Sequence, residues 1–107
     1  MASGLSEQEF RLKADEALEG AGRALAAAAD EQGFEVEQQN GVLNVIFEEP
    51  REARFVVSPN APVRQVWVSA MSRSYKLAWS AEAQAFVLDG EPLAALLQRL
   101  TSQFLHS

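Results

Sequence analysis

The sequence predicts an α+β fold: a two-layer α/β sandwich with an N-terminal and a C-terminal helix packed on one face of a five- to six-stranded antiparallel sheet. Three observations support this prediction. Apolar residues recur at helical spacing near each end of the chain, segments of alternating apolar and polar residues fill the middle, and turn-forming residues separate those segments. The 107 residues suffice for one hydrophobic core, so residues 1–107 are expected to form a single domain.

The first helix is predicted to begin at a capping-box pattern, in which Ser6 is followed three residues later by Glu9. Its apolar stripe recurs at steps of three and four residues and consists of Phe10, Ala14, Ala17, Ala21, Leu25 and Ala28. Gly20 and Gly22 weaken this helix, each by up to ~1 kcal/mol relative to alanine. We expect the helix to end near Asp30.

The first hairpin is predicted at Asn40-Gly41, a dipeptide that favours a two-residue turn. The apolar positions of its two strands are Phe34, Val36, Leu43, Val45 and Phe47. Residues 49–52 (Glu-Pro-Arg-Glu) form the next turn, and a third strand contains Phe55 and Val57. That strand is expected to end at residues 59–62, which contain two prolines.

The second half of the sheet follows the same alternation. Residues 71–74 (Met-Ser-Arg-Ser) are predicted to turn the chain into a fifth strand, whose core side chains are Tyr75, Leu77 and Trp79. A turn at residues 80–83 leads into a short strand at residues 86–88. Residues 89–92 (Asp-Gly-Glu-Pro) are expected to start the last helix. Its apolar stripe consists of Leu93, Leu96, Leu97, Leu100 and Phe104.

The fourth predicted strand, residues 62–69, directs its side chains to two faces in alternation. Val66 and Val68 claim the core face, which leaves Gln65, Trp67 and Ser69 on the other. An exposed tryptophan among short polar groups on a rigid sheet is typical of a docking surface. Two interpretations stay open: either this face is free for a partner, or another part of the chain covers the indole.

The acidic net charge of the protein indicates which classes of partner it can bind. The net charge is −6 and the isoelectric point is about 4.7, so the protein repels phosphate backbones and nucleic acid is not an expected partner. Residues 1–49 contain eleven acidic and three basic residues, which favours cations or a basic patch on another protein. By strand parity, Arg54 and Lys76 share the face of Trp67 and make it mixed in charge.

Composition also limits location and chemistry. No apolar stretch is long enough to span a membrane, and the N-terminus lacks a basic segment followed by an apolar one. We therefore expect no membrane association and a cytoplasmic location. The chain has no cysteine, its one histidine is His106 near the C-terminus, and it lacks a glycine-rich phosphate loop. The sequence therefore predicts a protein that is not an enzyme.

Carboxylates are the metal-ligand candidates, because hard cations and Fe²⁺ accept carboxylate and water oxygens. Glu16 and Glu19 are three residues apart and share a helix face. Asp30, Glu31 and Glu35 are expected near one helix–strand corner. Without a histidine ligand, binding would be weak and exchangeable. The alternative is that these acids form a solvated surface that confers solubility.

The order of elements and several strings resemble the frataxin family, in its bacterial CyaY-type members. The resemblance is carried by residues 40–43 (Asn-Gly-Val-Leu), residues 62–69 (Pro-Val-Arg-Gln-Val-Trp-Val-Ser) and Asp89-Gly90 before Leu96-Leu97. Tyr75 and Trp79 stand where the family has aromatic residues in its fifth strand. The likeness extends from about Glu9 to Phe104, which is nearly the whole chain.

The resemblance implies an accessory protein of iron–sulfur cluster assembly that docks on the cysteine desulfurase and its scaffold protein and is not itself an enzyme. It also implies weak, exchangeable binding of iron (Fe²⁺ or Fe³⁺) through an acidic ridge on the first helix and first strand. The matching residues here are Glu16, Glu19, Asp30, Glu31, Glu35 and Glu37. The resemblance implies contact with the assembly machinery through this acidic ridge and through the sheet face. The matching residues on the sheet face are Asn44, Gln65, Trp67 and Ser69.

One departure from the family pattern keeps alternatives open. Residues 22–29 (Gly-Arg-Ala-Leu-Ala-Ala-Ala-Ala) contain no acid, although the family usually crowds this half of the helix with Asp and Glu. A stand-alone iron-binding or buffering protein and an adaptor that binds a protein partner without metal are therefore the alternative hypotheses. The expected state is a monomer, with a metal-dependent oligomer as the alternative, in a bacterial cytoplasm in preference to a mitochondrion.

Overall fold

The computed structural model describes residues 4–107. Residues 1–3, on which the expectation of no signal peptide partly depends, lie outside the described residues. The two helices are α1 (Glu7–Gln32) and α2 (Leu93–Leu105). The strands between them are β1 (Glu35–Gln39), β2 (Val42–Phe47), β3 (Ala53–Asn60), β4 (Gln65–Ala70), β5 (Arg73–Ser80), β6 (Ala85–Leu88) and β7 (Glu91–Pro92).

The strands form one antiparallel meander in chain order, β1 to β7. Both helices pack on the same face of this sheet. Their buried residues form one hydrophobic core with alternate residues of the strands. The predicted fold class is therefore confirmed. The sheet has seven strands where the sequence predicts five to six, and the additional one is the two-residue β7. Neither helix among residues 4–107 combines the length and hydropathy needed to cross a membrane.

The sequence predicts that residues 89–92 start the last helix, and this prediction is wrong. Asp89 and Gly90 both have positive φ (51° and 82°) and form a two-residue turn. Glu91 then pairs with Leu88 in β7, and α2 begins only at Leu93. The same two residue types favour hairpin turns as strongly as helix ends, and pairing with β6 decides between them.

β4 begins three residues later than the predicted strand at 62–69, because Ala61–Val63 form a short 3-10 helix and Arg64 has a positive φ of 54°. The turn after β4 is also shorter than expected. Only Met71 and Ser72 lie outside the strands, both with positive φ, whereas Arg73 and Ser74 pair with Ala70 and Ser69. A two-residue turn with positive φ at both positions matches the right-handed twist of the strands that it joins. The predicted turn at Asn40-Gly41 has the same geometry and is confirmed.

Helix α1 begins as predicted and ends slightly later than expected. The Ser6 hydroxyl accepts from the backbone N–H of Glu9, and the Ser6 N–H donates to the Glu9 carboxylate at 3.0 Å. That backbone hydrogen bond holds the pKa of Glu9 below its usual range. The helix continues to Gln32, where Gly33 closes it at a φ of 79° and donates its N–H to the Ala29 carbonyl.

The core lies between the helices and the inner sheet face and contains all six phenylalanines. Phe47 stands at its centre, with ring centroids 5.0, 4.9 and 4.5 Å from those of Phe34, Phe55 and Phe104. Phe86 anchors the other end, 5.6 Å from Phe10. Such pairs contribute about 0.5–1.5 kcal/mol each beyond the burial of their area.

One buried side-chain polar group, in the part of the chain that the structure describes, lacks a hydrogen-bond partner. The hydroxyl oxygen of Thr101 on α2 is buried and has no hydrogen-bond partner within residues 4–107. A buried polar group without a partner costs about 1–3 kcal/mol. Thr101 lines the groove between α1 and α2, together with Leu25 of α1 and Leu105 of its own helix.

Replacing Thr101 by valine removes the hydroxyl and keeps the shape of the side chain. We expect Thr101→Val to raise the free energy of unfolding by about 1 kcal/mol, measured by urea denaturation. Thr101→Ser is the matched control, since it keeps the hydroxyl, removes the methyl group and should lower stability. A loss of stability in Thr101→Val would contradict the unpaired state of this hydroxyl.

The glycines of α1 allow a second stability test. A Cβ at Gly20 would meet nothing nearer than the Arg23 guanidinium at 4.0 Å. We therefore expect Gly20→Ala to raise the free energy of unfolding by up to about 1 kcal/mol. Gly33→Ala should lower it by about 1 kcal/mol, because Gly33 has a left-handed φ of 79°. Equal effects of the two variants in thermal unfolding would contradict this account.

Candidate functional site

The outer face of the sheet carries the strongest candidate for a functional surface. Val66, Val68 and Ala70 are at most 1% exposed on the inner face, so the side chains between them point outward. Trp67 is half-buried there, between an exposed and a fully covered state. No helix covers this face among the described residues, and the cover of the indole comes from the face itself.

Two neighbouring side chains hold the indole of Trp67. Lys76, directly across on β5, places its ammonium nitrogen 4.8 Å from the centre of the ring. The indole N–H donates to the side-chain oxygen of Gln65 at 2.8 Å. A cation over a ring face contributes about 0.5–1 kcal/mol at an exposed site. The ring is therefore oriented before any partner arrives.

A shallow depression of about 340 Å³ lies beside the indole. It is lined by residues of three strands, mostly valines and serines beside Trp67 and Lys76: Val56, Ser58, Trp67, Val68, Ser69, Ser74 and Lys76. Hydroxyl groups at its edge can donate to or accept from a partner backbone. The strand register brings Ser58 opposite Trp67 and Ser74 opposite Ser69, so sequence analysis could find these two residues only once the pairing was known.

Asn44 shares the outer face but does not touch the indole row. It pairs with Glu37 on one side and Val56 on the other, and Val56 in turn pairs with Ser69. Asn44 and Ser69 therefore belong to one cross-strand row, with Val56 between them. A partner that contacts all four predicted docking residues must cover three strands.

Charge changes sign across the outer face. Glu35 and Glu37 occupy its β1 edge, and Arg54 and Lys76 lie on β3 and β5. The predicted placement of Arg54 and Lys76 on the Trp67 face is confirmed by the register. The face is therefore acidic at one edge and basic towards the other, with apolar Ile46 between Glu35 and Arg54.

The six predicted metal-ligand carboxylates are all exposed, on two layers of the molecule. Glu16 and Glu19 are neighbours on the exposed face of α1, as their spacing predicts, but they border different grooves. Glu16 also lies 3.8 Å from the Lys13 ammonium. Glu35 and Glu37 point to the outer sheet face, whereas Asp30 and Glu31 are exposed in the last turn of α1.

Within residues 4–107, no three His, Cys, Asp or Glu side chains come close enough together to hold one metal ion. The donors available at each position are one or two carboxylate oxygens and water. Such a surface suits a weakly held, exchangeable cation.

Trp79, which the sequence assigns to the core, packs against it from the rim. The ring centroid of Trp79 lies 5.2 Å from that of Phe86. The Lys13 ammonium nitrogen lies 5.6 Å from the Trp79 ring centroid. Trp79 is half-buried, whereas Leu77 on the same face is fully buried. Trp79 therefore closes the edge of the core and leaves Trp67 as the tryptophan of the outer face.

Comparison with known protein families finds a match that covers nearly the whole chain. The family model described as the frataxin-like domain matches residues 3–107.

Three bacterial relatives are named "Iron-sulfur cluster assembly protein CyaY". The one from Pseudomonas aeruginosa is 37% identical over 70 residues, covering 64% of this chain and 63% of that protein. The one from Pseudomonas fluorescens is 30% identical over 103 residues, covering 92% and 88%. The one from Cupriavidus pinatubonensis is 29% identical over 101 residues, covering 92% and 89%.

The fold is matched by a solved structure as well. A frataxin from Psychromonas ingrahamii, studied for stability modulation within the CyaY proteins, superposes with a TM-score of 0.67 at 17% identity. The superposition covers 96% of this chain and 92% of that one. With the family match over residues 3–107 and the 30% identical relative, this chain belongs to the frataxin family.

Proposed function

We propose that this protein is an accessory and regulatory protein of iron–sulfur cluster assembly that catalyses no reaction of its own. It docks on the complex of cysteine desulfurase and scaffold protein and changes the rate at which that complex works. The frataxin-like domain and the names of the three CyaY relatives support the pathway. The observation that carries the docking role is the half-buried Trp67, oriented by Gln65 and Lys76 on an uncovered sheet face.

The physical case for docking at Trp67 is pre-organisation. An aromatic side chain that is already fixed loses little conformational entropy when a partner buries it. Tryptophan is also enriched among the residues that dominate interface energies. Gln65, Ser69 and Asn44 supply hydrogen-bonding groups around it on the same face, which suits the polar rim of an interface.

Iron is the proposed cargo and not a built-in cofactor. The proposed ligands are Glu16, Glu19, Asp30, Glu31, Glu35 and Glu37, acting one or two at a time with water. Oxygen donors alone, on exposed side chains, favour fast exchange of Fe²⁺ or Fe³⁺. This property suits a protein that passes iron on or senses its level.

A second candidate function is an adaptor that binds a protein partner without metal. It is favoured by the acid-free residues 22–29 and by the separation of the six carboxylates over two layers. A stand-alone iron buffer is the least supported of the three, because storage requires several carboxylates around shared ions.

Truncation of Trp67 tests the docking surface. We expect Trp67→Ala to keep its fold by circular dichroism and to weaken binding to the desulfurase–scaffold complex by about 30-fold, equivalent to ~2 kcal/mol. Leu12→Ala is the control, since Leu12 is 62% exposed on α1, on the other layer. Isothermal titration calorimetry gives both affinities. Unchanged binding of Trp67→Ala would remove this face from the interface.

Anaerobic addition of Fe²⁺ to ¹⁵N-labelled protein tests the proposed cargo. We expect paramagnetic broadening of the amide signals near the six carboxylates, reversed by a chelator because the binding is weak. Glu16→Gln with Glu19→Gln should remove the broadening in the middle of α1 and leave that near Asp30, Glu31, Glu35 and Glu37. A spectrum that Fe²⁺ does not change would favour the adaptor over the iron-linked role.

A further inference from the structure

Strand β1 is an open edge of the sheet. It pairs with β2 on one side only, from Glu35 opposite Ile46 to Gln39 opposite Val42. An edge strand exposes a row of backbone groups that can pair with another strand. The opposite edge, β7, is two residues long and continues directly into α2.

The turn at Asn40-Gly41 determines which backbone groups face outward. In a two-residue hairpin the residues that flank the turn form a hydrogen-bonded pair, and bonded pairs alternate with unbonded ones from there. Glu35, Glu37 and Gln39 therefore bond to β2. The N–H and C=O groups of Val36 and Gln38 point away from β2, towards the open edge.

A groove accompanies this edge on the helix side of the sheet. It has a volume of about 360 Å³ and lies between α1 and β1. Small and apolar residues form its floor, with one acid and one base on the rim: Gly22, Ala26, Val36, Leu43, Gln38, Glu19 and Arg23. A Cβ at Gly22 would lie only 3.6 Å from the Leu43 side chain, so the missing side chain keeps the floor open.

The other side of the same edge is acidic. Glu35 and Glu37 are exposed on the outer face, two residues apart, and therefore flank the same side of any added strand. A second copy of this chain would oppose its own carboxylates there, and like charges directly opposite are destabilising. A strand with Lys or Arg on that side would instead gain favourable cross-strand pairs.

We propose that β1 accepts an extended segment of a partner protein as an additional antiparallel strand. The segment alternates basic residues, which pair with Glu35 and Glu37, with small or β-branched apolar residues that enter the groove beside Gly22. Backbone hydrogen bonds to Val36 and Gln38 provide the affinity, and the two rows of side chains provide the specificity. This edge lies three strands from Trp67 and includes Glu35 and Glu37, two of the carboxylates proposed above as iron ligands.

The probe is an acetylated peptide of alternating lysine and valine with a fluorescent label, followed by anisotropy. The control peptide has the same composition arranged in two blocks, four lysines and then three valines. We expect the alternating peptide to bind at least about tenfold more tightly than the block peptide. Equal binding would mean simple charge attraction and would overturn the proposal, as would binding of neither.

Two variants test the edge itself. Gln38→Pro removes an outward N–H without removing a bond to β2, and we expect it to weaken the alternating peptide at least about tenfold. Gln38→Ala, which keeps the N–H, should weaken it about threefold or less. Equal losses in both variants, with the fold retained by circular dichroism, would overturn strand addition.

Charge reversal and amide hydrogen exchange test peptide binding at β1 even if Gln38→Pro does not fold. Glu35→Lys with Glu37→Lys should abolish binding, whereas Glu48→Lys with Glu52→Lys, the same charge change in the exposed β2–β3 turn, should retain most of it. In the unaltered protein the peptide should slow amide exchange at Val36 and Gln38. Protection elsewhere would overturn the proposal, and protein-concentration-dependent protection without peptide would identify a second copy as the occupant.

Discussion

The two-residue period of side chains along β4, together with burial of one sheet face, is the constraint on which the rest of this structure depends. Val66, Val68 and Ala70 are buried beneath the helices, so Trp67 must point outward. A shift of register by one residue would expose these apolar side chains, at a cost of at least about 3 kcal/mol for the two valines alone. The position of the candidate docking residue is therefore a consequence of core packing.

Close packing explains the small residues on the flanks of the acid-free half of α1, although Arg23, Ala26 and Ala27 in the same stretch are exposed. Gly22 faces Val36 and Leu43 at distances that leave room for little more than a methyl group. Ala24 and Ala28 line the groove towards α2, and the Ala24 carbonyl accepts a hydrogen bond from the Gln98 side chain at 3.3 Å. Small residues let the helix approach both neighbours, and carboxylates on these flanks would have to extend over apolar surface.

The sheet offers two different kinds of surface to partners. The Trp67 face presents side chains, whereas the β1 edge presents backbone groups. Three strand spacings separate β1 from β4, which is roughly 14 Å. One large partner can reach both surfaces, and two smaller partners can bind them separately. The change from acidic β1 to basic β5 gives a preferred orientation to any partner with the opposite gradient.

The sequence by itself determined the two helices, the meander and the outward direction of Trp67, because side-chain periodicity is a local property of the backbone. It also placed Lys76 on the same face by parity. Only the tertiary structure decided that Lys76 lies over the indole, that Asp89-Gly90 forms a hairpin turn, and that β1 is left as an open edge. Each of these depends on which segments become neighbours, and that choice is made by burial of the whole core, not by any single stretch of residues.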